Sequence, residues 1–290
     1  MLGRAVGERL MHDPKHTLFA PELVEVIGEA DLFVLNLECC ISARGEPWPG
    51  RVFHFRAPPW AAEMLARLGV DCVTLANNHA LDFGPDALLD TLAHLDAAGV
   101  RAVGAGTDLE RARAPVVVDG LTIVAFTDHP PEYAATPSCP GVAFGPPDAL
   151  PDADTVLVLP HWGPNMTSEP LPRVRSTAKT LLDAGATLVA GHSAHVFHGM
   201  APHVIYDLGD FLDDYAVDPV LRNDLGLLFL VTLDEHGPSA IEAVPLALDF
   251  CHTRLAVGDD AAWVRRRFLR ACAELGSEAG EHAGRLVVRT

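Results

Sequence analysis

Apolar and polar positions along this chain fall into blocks that switch between two periods. Short continuous apolar runs, "DLFVLNLE" (31–38), "VDCVTLA" (70–76), "VRAVGAG" (100–106), "DADTVLVLPHWG" (152–163) and "TLVAGHSAHVFHG" (187–199), read as buried strands. Between and around them lie helical patterns: "APELVEVIGEA" (20–30), "WAAEMLARLG" (60–69), "PDALLDTLAHLDAAG" (85–99), "RVRSTAKTLLDAGA" (173–186) and "DDAAWVRRRFLRACAELG" (259–276). Gly69 and Gly99 sit where helix stops are expected, and Leu88, Leu89, Leu92 and Leu95 form one apolar stripe. This strand–helix–strand rhythm predicts parallel pairing through right-handed crossovers.

Two stretches change the rhythm. "APVVVDGLTIVAFTD" (114–128) predicts a hairpin around Asp119-Gly120. "HVIYDLGDFL" (203–212) and "LGLLFLVTLDEHGPSAIEAVPL" (225–246) predict antiparallel strands around the turn "DEHG", and a polar tail comes after the last helix. The proline-rich segment 129–152 lacks periodicity, and a loop of that length is more often functional than inert. With no internal repeat or low-complexity linker, residues 1–290 read as one layered α/β domain, with a core over 1–250 and a helix and tail over 251–290.

The totals fit a globular enzyme-sized chain: 290 residues, 49% hydrophobic and 21% charged. A formal net charge of -18, from 39 acidic and 21 basic residues, disfavours nucleic acid or an anionic membrane as partner. It suits a cationic ligand or a bound metal. The six cysteines have no CxxC spacing, so a thiolate zinc site is not expected and they read as reduced. The first residues carry no long apolar core and no run approaches a membrane span, which predicts a cytoplasmic protein.

Candidate chemistry gathers at strand ends. Asn36 and Glu38 close one apolar run, Asn77, Asn78, His79 and Asp82 a second, His161 a third, and His192, His195 and His198 a fourth. In a parallel α/β sheet the carboxyl ends of the strands converge on one edge, where ligands bind. A carboxylate, an amide and several imidazoles meeting there form the mixed oxygen and nitrogen donor set of Mn²⁺, Fe²⁺, Zn²⁺ or Ca²⁺. His94, His203, His236, His252 and His282 read as structural, and the basic residues Arg44, Arg51 and Arg56 as a solvated loop at the rim.

"NLE", "LANNHALDFG", "GVRAVGAG", "LPHWG", "DAGATLVAGHSAHVFHG" and "IYDLGDF", in this order, resemble the CapA-like family of poly-γ-glutamate capsule synthesis, related to the calcineurin-like metallophosphoesterases. The resemblance runs from Met1 to about Leu246. It implies an α/β fold of mixed sheets flanked by helices, layered as in those phosphoesterases. It implies Glu38, Asn78, His161, His192 and His195 as metal ligands. It makes His79 the general acid or base, oriented by Asp82, with Asn36, Asn77, Trp162, His198 and Asp210 around the metal or substrate. Relatives carry Gly-Asp just before a segment like "MLGR"; this chain begins at that segment, so the first strand and its Asp are expected upstream of the start. Asp210 stands where relatives commonly have Asn, and the His192–His195 spacing matches the CapA branch rather than the His-x-His of most metallophosphoesterases.

Three functions remain open on these residues. One is a metal-dependent enzyme acting on a peptide, amide or poly-glutamate-type substrate. Another is a metal-dependent peptide epimerase, like relatives in natural-product pathways, with His79–Asp82 as one acid–base pair and Asp210 with His192, His195 or His198 as the other. The third is a non-catalytic relative that binds a precursor or partner in capsule biosynthesis.

Overall fold

The apolar run that ends in "NLE" becomes the strand Val34–Asn36, and it pairs in parallel with Cys72–Thr74, which pairs in turn with Arg101–Val103. In this computed structural model, residues 1–12, 18–234 and 237–289 are described. They divide into two units: Met1–Leu18 with Val24–Asp148, and Phe19–Leu23 with Ala149–Thr290.

In the first unit, the helices Ala61–Arg67 and Gly84–Ala97 supply the two crossovers of the three-stranded parallel sheet. Gly69 and Gly99 both come just after helix ends with positive φ, as their positions in the sequence imply. The buried stripe of the second helix is Ala87, Leu88, Thr91 and Leu95, not the expected all-leucine set; Leu89 and Leu92 stay half-exposed. A 3.6-residue period places 88, 91 and 95 on one face and carries 89 and 92 to its flank. Each fully buried leucine of this kind contributes roughly 2 kcal/mol. The hairpin Val116–Val118/Leu121–Thr127 forms around Asp119-Gly120 as expected. The proline-rich segment is ordered in part, with a 3₁₀ turn at Pro131–Tyr133 and a short strand Gly141–Val142 paired with Ala105–Gly106.

In the second unit, Val156–His161 pairs in parallel with Leu188–Ala190, which pairs in parallel with Val204–Ile205. The segment "HVIYDLGDFL" meets the antiparallel expectation on one side only, pairing antiparallel with Met200–Ala201; its strand is short, stopping at Ile205, and the chain continues as a loop. The antiparallel hairpin belongs to Leu225–Asp234 and Gly237–Asp249, while Glu235 and His236 of its "DEHG" turn lie outside the described residues. The polar tail also folds, as the hairpin Ala279–His282/Arg285–Val288, whose second strand pairs with the long strand through Ile241–Ala243. Only Leu286 and Val288 there are buried, which is why the pattern reads as a tail.

Two close approaches fix the loop that leaves the strand at Ala190. A Cβ on Gly191 would lie 2.4 Å from both Trp162 Nε1 and the Tyr206 carbonyl oxygen. One on Gly199 would lie 2.3 Å from the backbone of Ala271 in the helix Gly258–Glu274. Gly191→Ala is therefore expected to lower stability by about 1–3 kcal/mol, read as a fall in the urea midpoint. Gly280→Ala, which meets nothing within 4 Å, leaves that midpoint unchanged.

Candidate functional site

In the first unit the site residues form one hydrogen-bonded turn. Asn36 Nδ2 donates to Glu38 Oε1 at 2.6 Å and so aims the carboxylate. Asn77, fully buried, donates to Asn36 Oδ1 at 3.0 Å and to the Leu37 carbonyl at 2.9 Å, while its own Oδ1 accepts from the His79 amide at 3.0 Å. Asn77 thus locks the two strand ends together and holds the His79 backbone. Asn78, beside it, presents a buried Oδ1 that has no hydrogen-bond partner among the described residues.

His79 Nδ1 lies 2.7 Å from Asp82 Oδ2. That carboxylate is fully buried and also accepts from the Phe55 amide at 2.8 Å and, through Oδ1, from the Tyr133 hydroxyl at 3.2 Å. With donors arriving from Phe55 and Tyr133, Asp82 faces His79 as an acceptor. This fixes the proton on Nδ1 and makes Nε2 the basic atom. The Phe55 ring meets the imidazole edge-on at 4.7 Å and restricts its rotation. Neither Phe55 nor Tyr133 is marked by spacing in the sequence. Tyr133 lies in the aperiodic proline-rich segment, where only a long loop could be read.

In the second unit, parallel pairing of adjacent strands brings their exits together. His161 and His192 form a backbone bridge, the His192 amide donates to the Pro160 carbonyl at 3.0 Å, and the two rings meet Nδ1 to Nδ1 at 2.7 Å. Both histidines are buried. Trp162 Nε1 donates to the Tyr206 carbonyl at 3.0 Å, so this indole braces the turn. His195 has φ +61°, a left-handed backbone costing about 1 kcal/mol or more outside glycine, and its Nδ1 lies 2.9 Å from Asp210 Oδ1.

The carboxylates behind His195 are not all charged. Burial first, and then the Asp210 charge, push Asp213 up to about 8, so near neutrality it carries a proton. Burial pushes Asp210 the same way, but the charge and hydrogen bond of His195 outweigh it and hold this carboxyl below its usual range. Burial also raises Asp207 to about 7, although it accepts from the Ala194 and Gly209 amides at 2.8 and 2.9 Å. His198 departs from the other histidines of the loop. Burial lowers it to about 4, and its Nε2 bonds the Thr167 carbonyl at 2.8 Å. It lines a small pocket with Trp162, Thr167, Tyr206 and Asp207.

Each half therefore presents donors suited to a divalent cation: an aimed carboxylate and an unsatisfied amide oxygen in one, and converging imidazoles in the other. A buried amide oxygen without a donor costs about 1–3 kcal/mol, which a bound cation removes.

The Asp213 proton sets a pH dependence. An unfolded aspartate titrates near about 3.9, so between there and about 8 the folded chain holds a proton that the unfolded chain has lost. The stability contributed by protonated Asp213 is therefore present at low pH and is lost as pH rises through that window. Asp213→Asn keeps the size and polarity of the side chain without titrating. In metal-free protein its melting temperature is expected to gain on the wild type as pH is raised from about 5 to about 8.

Comparison with known proteins gives the same direction as the residues. The chain matches the family of bacterial capsule synthesis proteins PGA_cap over residues 1–142 and 148–215. It is 30% identical over 281 residues to a probable polyglutamine synthesis accessory protein of Mycobacterium tuberculosis, covering 85% of this chain and 73% of that one. It is 31% identical over 266 residues to the PGA biosynthesis protein CapA of Bacillus subtilis, covering 85% and 69%. Against the capsule biosynthesis protein CapA of Bacillus anthracis the figures are 29% over 214 residues, 67% and 51%. The chain belongs to the bacterial capsule synthesis protein family PGA_cap.

Proposed function

We propose that this protein is a metal-dependent enzyme acting on a peptide or amide bond of a poly-glutamate-type substrate, with His79 as general acid or base. The observation that carries the reading is the pair His161 and His192, two buried imidazoles aimed Nδ1 to Nδ1 at 2.7 Å. One proton must be shared between them, or both lone pairs can face one ion. The resemblance that implies Glu38, Asn78, His161, His192 and His195 as ligands completes the proposal: these residues would hold a divalent ion, Mn, Fe, Zn or Ca. The phosphoesterase-like layering implied by the motifs belongs to the same proposal. The names of the Bacillus relatives point to PGA and capsule synthesis, which directs the substrate choice toward poly-glutamate, an acidic polymer, whereas polyglutamine, in the name of the Mycobacterium relative, is its uncharged amide counterpart.

When bound, the ion would polarise a carbonyl oxygen and lower the pKa of a water. The chain's own part is proton transfer and orientation. His79 Nε2, left basic by the Asp82 contact at Nδ1, takes a proton from the attacking water or returns one to the leaving amine. Asn36 holds the Glu38 carboxylate in place during this, and Asp210 does the same for His195.

A second reading has its own observation. His195 with Asp210 repeats the arrangement of His79 with Asp82, giving two imidazole–carboxylate pairs. Two such bases could remove a Cα proton from one face and return one to the other, inverting the centre. The bond of His198 Nε2 to the Thr167 carbonyl favours His195 over His198 for this role. Incubation of γ-linked glutamate oligomers in D₂O separates the readings: cleavage without deuterium at Cα supports hydrolysis, and deuterium at Cα without cleavage supports epimerisation.

Elemental analysis tests the centre itself. Purified protein is expected to hold roughly one equivalent of a divalent metal. His161→Ala and Glu38→Gln should lose it, and His198→Ala should retain it. Metal in none of these proteins would leave the binding-protein reading.

A further inference from the structure

The loop 42–56 contains three arginines, Arg44, Arg51 and Arg56, and they are used differently. Arg44 is spent on Asp90, which it meets with Nε at 2.9 Å and with Nη2 as well. Arg56 lies flat on Phe83, 4.0 Å from the ring centroid. Arg51 reaches inward: its Nη2 donates to the Asn78 carbonyl, and its guanidinium lies over the Tyr133 ring at 5.0 Å. Trp48 meets Tyr133 edge-on at 5.0 Å and steadies that ring.

Arg51 is half-buried, and no carboxylate pairs with it among the described residues. A guanidinium has five N–H donors, and the Asn78 carbonyl takes one. In a chain with net charge -18, a desolvated arginine that finds no acidic partner is conspicuous. Its position is equally specific. Asn78 and Tyr133, its two contacts, are the neighbour of His79 and the hydrogen-bond donor to Asp82. The contact over the Tyr133 ring anchors the guanidinium beside His79, and its remaining N–H donors form the kind of fork that takes a carboxylate through two parallel N–H bonds.

We propose that Arg51 is the substrate-reading residue of this site: it grips a carboxylate of the substrate and so sets the adjacent amide against His79. The inference rests on the acidic-polymer reading above and deepens it. The overall charge repels a polyanion at long range, so recognition must come from a local, positioned cation of this kind. A carboxamide in place of the carboxylate would leave the guanidinium without its anion and lose the paired bonds.

Isothermal titration with two probes tests this: a γ-linked tri-glutamate, and the same peptide with its free carboxylates converted to carboxamides. The wild-type chain is expected to bind the acid form at least about tenfold more tightly. Arg51→Gln should abolish that preference, and Arg51→Lys, which keeps the charge but not the fork, should restore only part of it. Melting temperatures of the variants matching the wild type establish that the fold is kept; if Arg51→Gln does not fold, the comparison rests on Arg51→Lys, where an undiminished preference overturns the proposal. An undiminished preference in Arg51→Gln overturns the role of Arg51 and leaves the acidic substrate standing. Failure of the wild type to bind the acid form overturns both, whatever its metal content.

Discussion

A carboxylate with no exposure to water needs donors, and Asp82 draws its own from Phe55, His79 and Tyr133. Leaving such a group without partners costs several kcal/mol, whereas each hydrogen bond to it contributes about 1.5–3 kcal/mol. The three segments are remote in sequence, so satisfying one side chain ties the loop before residue 56, the turn after residue 76 and the proline-rich segment to a common point. The Trp48 amide adds a further tie, to the Asp82 carbonyl at 2.8 Å. The His79 imidazole inherits its orientation from this requirement. Order in the surrounding loops and the setting of the His79 ring depend on the same buried carboxylate.

The second unit meets a related problem by another route. Burial pushes Asp207 and Asp213 toward protonation, while Asp210 keeps its charge beside His195. The histidines of "HSAHVFH" separate by what their nitrogens touch: His192 faces His161, His195 faces Asp210, and His198 faces a backbone carbonyl. Residue type alone made these three equivalent. Their hydrogen-bond partners make them different.

Much of the architecture was readable because periodicity reports burial. The parallel strands, their crossover helices and the hairpin at Asp119-Gly120 all stand where apolar spacing and turn chemistry put them. The carboxyl-end rule brought Asn36, Glu38, Asn77, Asn78 and His79 to one turn, and His161 and His192 to one bridge. Each feature that escaped has a physical reason. Tyr133 and Arg51 act from loops, where no period exists to mark them. The strand Ala279–His282 is largely exposed, so it carries no apolar signal. "HVIYDLGDFL" looked like a long strand because Phe211 and Leu212 continue its apolar count, yet Asp207 turns the chain by accepting backbone amides.

The match to the capsule family ends at residue 215, well before the helix Gly258–Glu274. Yet that helix touches the histidine loop throughout: Gly199 sits against the Ala271 backbone, the Met200 amide reaches Cys272 Sγ at 3.4 Å, and Arg267 donates to the Phe197 and Leu221 carbonyls at 3.3 and 2.7 Å. A side chain at position 199 demands that the helix retreat, and a shifted helix withdraws the donors that hold Phe197. Loop and helix are thus a single packing unit. Grafting "GHSAHVFHG" onto another scaffold would carry the histidines across without the surface that shapes them.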